Sequence, residues 1–565
     1  MTSRRLHALV PVVYLAAAAL LLGRSVVALG GSIPGAARSD VWNSLWSIWF
    51  VSDALSAGQL PWHTTLLDHP TGGVLLVADP LGALLSVPLT LGAGVEAAYA
   101  ALVLVRVALS GWSAHLLAAE VVGPDHERGP APWVAGLAML TAPVLISGIH
   151  NGTSEAAAVA PVALAAWAAL RTTRRKSLPW ALFAALLLGI STLASGYAAV
   201  VAYVFVGFVL LFGPWSTKRD VALKAGVLGG GLALSLPLAR AISHAATVRG
   251  NLVGIKHGAE LASVRRTTGP ADPLAYLLGF DYRSPDFREI SRYGEDFIHC
   301  PYVGVVLGGV VLWGLWTHRR RLRPVSWVLV AGGVTFLLSL GPVIVQGGLA
   351  WVFLDERVFP MPYLLLERLP GFGSLSLLWR LGLGPVLALS VLAAWSLRGR
   401  PPWQVAVVGL LVLVDFRVVA PTAGLPAMTD ARVHTSLEAL SQSPAGAVLN
   451  HPVVGGRAYL HEQTTHGQPL AARLNFPNNG VGRVVWEAAR KATSLDDAEA
   501  RKRIRQTAQD MGVRYVVVHD DPDAGPDMYD DAVRSLERLF PALPADGPRA
   551  ESGPHATRVT VLRLY

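Results

Sequence analysis

Between residues 6 and 420 the chain alternates apolar runs with short arginine-rich stretches. Crossing a hydrocarbon core takes about 20 predominantly apolar residues in a helix. Runs of that order lie near 6–29, 95–121, 132–149, 153–170, 179–194, 196–213, 221–240, 301–316, 325–341, 376–397 and 403–420. In lipid each run must satisfy its backbone polar groups internally, which leaves a helix bundle as the available fold. Only 15% of the 565 residues are charged, against about 25% in soluble domains. The first run could serve as a signal peptide, but it is long and no clean small-residue cleavage site follows, so it is read as a span.

Basic residues fix the expected orientation. Arg171, Arg174, Arg175 and Lys176 follow the fourth span, and Lys218 and Arg219 the sixth. Arg319, Arg320, Arg321 and Arg323 follow the eighth, and Arg398 and Arg400 the tenth. All are exits on the side of the N-terminus, and positive loops stay in the cytoplasm. The net charge of +9 is therefore a topology signal. Without a basic stripe interleaved with aromatics, or zinc-finger spacing, it does not indicate nucleic-acid binding. The single cysteine, Cys300, excludes an intramolecular disulfide and a Cys-based zinc or iron–sulfur site.

This orientation divides the chain into a transmembrane domain over 1–420, with outer loops 30–94 and 241–300, and an outer domain over 421–565. In the first loop, Trp42, Trp46, Trp49 and Phe50 lie at helical spacing over Trp42 to Leu55, the mark of an interfacial helix. Prolines and glycines break residues 60–80, and Leu81 to Leu91 forms a short apolar piece that dips into or lies on the membrane. The tail reads as a small α/β domain. Its strands are expected at Val448-Leu449, Tyr515–Val518 and Val559–Leu564, and its helices near 434–442, 481–492, 496–511 and 527–540. The fold class is thus a polytopic α-helical membrane protein of about eleven transmembrane helices with a soluble α/β tail.

Acids beside hydrocarbon are functional candidates because unpaired charge there is costly. Asp40 lies just before the Trp-rich helix. It reads either as that helix's N-cap or as a general base at the outer surface. Asp79 follows Asp68 and His69 in the broken stretch. With Asp40 it offers two carboxylates to a divalent cation such as Mg or Mn, too few to define a metal site alone. His150, Asn151 and Glu155 join the third and fourth spans as capping groups or pocket lining. Asn151-Gly152-Thr153 matches a glycosylation sequon, but one very close to the membrane. Arg380, at the outer end of the tenth span, and Arg240, ending the seventh, either snorkel or grip a lipid-linked phosphate. No phosphate loop, Rossmann fingerprint, Gly-x-Ser-x-Gly elbow or His-Glu-x-x-His pair is present.

These stretches carry a resemblance. Asp40 with Trp42-Asn43 and Trp46, then Gly58-Gln59-Leu60-Pro61-Trp62 and Pro70 to Asp79, resembles the first outer loop of GT-C membrane glycosyltransferases. It is most similar to the YfhO-like and dolichyl-phosphate-mannose-transferase-like bacterial proteins. Gly148-Ile149-His150-Asn151 leading to Glu155 is similar to their third-to-fourth-span turn. Leu369-Pro370-Gly371-Phe372 with Trp379-Arg380 resembles another recurrent stretch. Tyr459, Gln463, His466-Gly467-Gln468-Pro469 and Gly512–Val517 are similar to their C-terminal domains.

The resemblance implies a GT-C-like fold, an outer active site and a polyprenyl-phosphate-linked sugar donor. A glycan, lipid or protein would be the acceptor, at the bacterial inner membrane. It also implies that Asp40 is the catalytic or acceptor-activating acid. The family's usual acidic pair is not reproduced, because Val41 follows Asp40. Arg240 and Arg380 would then hold the lipid phosphate, and Asp79, His150, Asn151 and Glu155 the substrate. Two other readings are a non-catalytic assembly or binding protein for envelope polysaccharide, and a lipid or sugar transporter. The transporter reading would need buried charge in mid-span, whereas the sequence pattern gathers polar residues at outer ends.

Overall fold

The computed structural model describes the chain apart from residues 1–2, 24–30, 128, 248–251, 253–257, 279–296, 347–348, 354–356, 370–371, 421, 425, 435, 452–456, 475–479, 521–528 and 544–557. Much of the expected outer loop 241–300 and the Pro370-Gly371 pair lie outside the described residues.

Helices dominate up to residue 419. They are α1 (Ser3–Leu22), α2 (Val41–Ser56), α3 (Pro80–Ala93), α4 (Val95–Val122), α5 (Ala131–Leu140), α6 (Pro143–His150) and α7 (Ala160–Arg175). They continue with α8 (Leu178–Ala194), α9 (Gly196–Phe212), α10 (Lys218–Thr247), α11 (Val305–Thr317), α12 (Ser326–Ser339), α13 (Leu383–Ser396) and α14 (Pro402–Val414). Among the described residues, six stretches are long and apolar enough to cross a membrane: Val95–Val122, Ala131–His150, Ser154–Arg175, Lys218–Ile242, Leu378–Ser396 and Pro402–Val419. The remaining expected spans are shorter apolar helices of 10–17 residues. The protein is a multi-pass helical membrane protein.

Proline sets several boundaries. Pro80, Pro132, Pro143, Pro179 and Pro402 each stand in a first helical turn, where the missing N–H costs nothing. Pro143 divides the third span into α5 and α6.

The basic loops meet at one end of the bundle. Arg171 Nε donates to Glu120 at the foot of α4 at 2.8 Å, and Lys176 reaches Asp220 at the start of α10 at 3.1 Å. The ring of His126 lies beside Gly399. At the other end, Asp415 caps a helix from a different span. It accepts from the Tyr302 hydroxyl at 2.7 Å and from the Val306 amide at 2.9 Å, and so satisfies one of the orphan donors of α11.

The first loop folds onto the tail. Strand β1 (Ser32–Pro34) precedes α2, and a small hairpin pairs β2 (His63–Thr64) with β3 (Gly73–Val74). β1 pairs antiparallel with β4 (Met428–Asp430), just beyond the last span. The Asp68 amide donates to the Ala472 carbonyl at 2.8 Å, and the Leu470 amide to the Leu66 carbonyl at 2.8 Å. The Trp-rich helix differs from the interfacial reading. Trp42 and Trp46 are fully buried between the bundle and the tail, because the tail covers the face that lipid headgroups were expected to meet. The dipping piece is α3, which exposes Leu84, Leu85, Leu89 and Leu91.

The tail contains α15 (Ser436–Ser441), β5 (Ala447–His451), α16 (Ala458–His466), α17 (Gly480–Lys491), α18 (Asp497–Met511), β6 (Val513–Asp520), α19 (Asp530–Leu539) and β7 (Arg558–Arg563). Its sheet runs β7-β6-β5, with β6 parallel to β5 and antiparallel to β7. Val516, opposite Leu449 and Leu562, packs in a core with Trp486, Ile504 and Leu536. Expected strands and four expected helices are present; α16 was not expected.

Candidate active site

A small, partly open cleft lies where α2, the start of α3 and the Ser154–Ala157 turn converge. Its lining includes Asp40, Asn43, Ser44, Asp79, Ser154 and Glu155. Three of the acids singled out in sequence therefore share one cavity.

Asp40 stands at the N-cap of α2, but its side chain makes no capping hydrogen bond. The Ser39 hydroxyl instead lies 3.4 Å from the Val41 amide. The Asp40 carboxylate turns outward and pairs with Arg457, from the tail. Its backbone is pinned from below, with the Asp40 amide donating to the Asn151 carbonyl at 3.0 Å. Gly152 permits that approach. Its φ is +69°, and a Cβ there would lie 2.0 Å from the Val41 nitrogen.

Asp79 is occupied differently. One oxygen accepts from the Gly82 amide at 2.8 Å, a genuine N-cap. The carboxylate also takes both terminal nitrogens of Arg106 and the Ser154 hydroxyl at 2.6 Å. Arg106 lies well inside α4, so the sequence impression that charge keeps to span ends is incorrect there. The N-terminus of α3 descends to neutralise it, and both side chains are 7% exposed.

Glu155 pairs with Arg380 at 2.8 Å, with side chains 8% and 14% exposed. Arg380 also lies 5.3 Å from the Tyr197 ring centroid. His299, stacked on Trp379 at 4.5 Å, is held neutral by burial and by the Arg380 charge, its pKa lowered to about 3.

The other expected residues lie off the cleft. His150 is buried, and its Nδ1 faces the Ala427 amide at 3.3 Å. Asn151 makes two 2.7 Å hydrogen bonds with the backbone of Ile298. Its buried amide is closed to glycosylation, and it positions Asp40. Arg240 is exposed on α10 and lines no part of the cleft.

Sequence reasoning missed Arg106, Ser154 and Arg457. A lone arginine in an apolar run was the available signal for Arg106; Arg457 carried none, being one basic residue of a polar tail. Among the described residues no group of three or more His, Cys, Asp or Glu is placed to hold a metal ion. Asp40 and Asp79 each face a guanidinium instead.

The whole chain superposes on part of the arabinofuranosyltransferase AftD from mycobacteria, with a TM-score of 0.56 at 16% identity. The fold is the GT-C fold. This chain spans 42% of the length of AftD. Looser superpositions are found with the oligosaccharyltransferase of Archaeoglobus fulgidus (TM-score 0.47, 13% identity, 95% of this chain and 73% of that one). Another is with ArnT from Cupriavidus metallidurans bound to undecaprenyl phosphate (0.44, 13%, 98% of each chain). At the level of sequence, no family model and no curated protein matches. Within that fold, the cleft lies between the first loop and the turn that precedes α7, and the tail reaches it through Arg457 on Asp40.

Proposed function

We propose that this chain transfers a sugar from a polyprenyl-phosphate carrier to a hydroxyl of a glycan, lipid or protein acceptor. The reaction would take place at the outer face of the bacterial inner membrane, with the N-terminus in the cytoplasm and the tail outside. The observation that carries this reading is the Asp40 carboxylate, released from helix capping and turned to the mouth of a cleft in a GT-C fold. Gathering of the basic loops at the opposite end of the bundle supports the orientation.

In the proposed reaction the acceptor oxygen attacks the anomeric carbon and its proton passes to Asp40. The bond from that carbon to the phosphate oxygen breaks, and polyprenyl phosphate departs. Ser44, Asn43 and Ser154 supply hydrogen-bonding groups at the cleft wall. Asp79 shapes the wall, and Glu155 holds Arg380 beside it. A divalent cation would have to displace Arg457 from Asp40 and Arg106 from Asp79, so no step is assigned to one. The convergence of Asp40, Asp79 and Glu155 favours an enzyme over a purely scaffolding protein.

The test is Asp40→Asn in a liposome assay with a panel of undecaprenyl-phosphate sugars. Loss of a general base is expected to lower turnover by about 10²–10⁴-fold. Unchanged turnover would remove Asp40 from the mechanism.

A further inference from the structure

The cleft and its walls hold three carboxylates, each matched by one arginine: Asp40 with Arg457, Asp79 with Arg106 and Glu155 with Arg380. A site balanced in this way has no net attraction for an anionic phosphate unless one arginine changes partner. The pairs differ in how easily they can do so. The Asp79–Arg106 side chains are 7% exposed on both sides, and those of Glu155–Arg380 8% and 14%. Separating either would strand a charge in a dry interior, which is strongly unfavourable. Arg457 and Asp40 are 16% and 28% exposed, so water and ligand can reach them at the rim.

Arg457 is also the one of the three arginines that comes from the tail. It has a left-handed backbone (φ +68°) and immediately precedes α16. That helix is held by side chains of the membrane domain. His461 meets Glu96 at 2.8 Å and stacks on Trp42 at 5.2 Å. Gln463 accepts from Trp46 Nε1 at 2.7 Å and donates to the Leu66 carbonyl at 2.8 Å. The base of the Arg457 side chain is therefore fixed while its guanidinium sits at an accessible mouth.

Resting on the sugar-transfer reading above, we propose that Arg457 is an exchange ligand, parked on Asp40 until the carrier lipid binds and then drawn onto the donor's phosphate. A planar guanidinium can meet phosphate with two parallel hydrogen bonds. The same movement takes the guanidinium off the Asp40 carboxylate, which makes it a stronger base toward an acceptor hydroxyl once a donor is in place. The tail thereby couples donor binding to deprotonation.

The experiment measures binding of sugar-free undecaprenyl phosphate to the full-length protein in nanodiscs. Breaking the Asp40–Arg457 pair lowers apparent affinity in the wild type, as any unfavourable preceding equilibrium does. Asp40→Asn should therefore bind the lipid about tenfold more tightly than wild type, although it is impaired in transfer. Arg457→Ala should bind about tenfold more weakly. The double variant should match Arg457→Ala, because Asp40 no longer has a partner to withhold. Arg457→Lys keeps the charge without the fork and should lie between wild type and Arg457→Ala, which guards against misfolding of the alanine variant. Unchanged affinity in Asp40→Asn, or in both Arg457 variants, overturns the exchange while leaving sugar transfer intact. Failure of the wild type to bind undecaprenyl phosphate overturns the sugar-transfer reading, and the exchange with it.

Discussion

Asp40 and Asp79 are both acids immediately before a helix, and the structure employs them differently. Asp79 is a saturated cap, holding Gly82, Ser154 and Arg106 together. Asp40 leaves the capping to Ser39 and faces the cleft mouth. Spacing alone could not separate them, because the distinction depends on residues far away in the chain. Asp40, Glu155 and Arg380 were legible as charges beside hydrocarbon. Arg457 was not, since an arginine in a soluble tail is unremarkable until the tail is folded. The Gly152–Val41 approach predicts that Gly152→Ala displaces the Asp40 backbone. Transfer activity should fall sharply, with about 1–3 kcal/mol of destabilisation read from detergent-solubilised thermal unfolding. Arg380→Met leaves Glu155 buried without its guanidinium and should cost roughly 3–5 kcal/mol. Adding Glu155→Gln should recover part of that loss, and a full loss in the double variant would contradict a compensating pair.

Among the elements, the spans and tail strands were legible because periodicity and length report burial directly. Helix α16 was not. Its nine residues, Ala458–His466, carry no apolar stripe; it docks through Trp42, Trp46 and Glu96 rather than through a greasy face. The same helix places ionisable groups in the interior. Burial raises Glu462 from its ordinary 4.5 to about 8, and lowers His466 from 6.5 to about 3 and His519 from 6.5 to about 4. Glu462 and His519 lie 3.4 Å apart, close enough for an ion pair, yet burial favours the neutral form of both near pH 7. The unfolded chain loses the Glu462 proton near pH 4.5 and the folded chain near 8, so this group lowers stability as pH rises between them. The histidines act in the opposite sense. Unfolded imidazoles bind protons below about 6.5 and the folded ones resist until about 3–4, so stability also falls as pH drops below 6.5. With two histidines against one acid, the tail should be most stable near pH 6.5. Glu462→Gln should flatten the alkaline side of a melting-temperature profile and steepen the acidic side, because between pH 4.5 and 6.5 Glu462 opposes the histidines.

For the whole molecule, the sequence pattern conveys a membrane bundle with a soluble appendage, and the structure agrees. It could not convey how closely the two are joined, because the hydrogen bonds between the first loop and the tail are mainly backbone bonds and leave no mark in composition. Sided charge predicts the overall orientation. Alkaline phosphatase fused after residue 430 should be active, and a fusion after Arg175 inactive; the reverse pattern would place Asp40 on the cytoplasmic side.

Strand β1 lies near the beginning of the chain, and its partner β4 only past the last span. Leu66 and Asp68 likewise wait for Leu470 and Ala472. During synthesis the first hairpin emerges early and remains unfinished while the later apolar helices are threaded into the bilayer. The first loop is fastened to the tail by a stitch made near the end of translation. A half-made chain therefore lacks the Arg457 contact on Asp40, and the ribosome's progress sets when that edge of the cleft can be assembled.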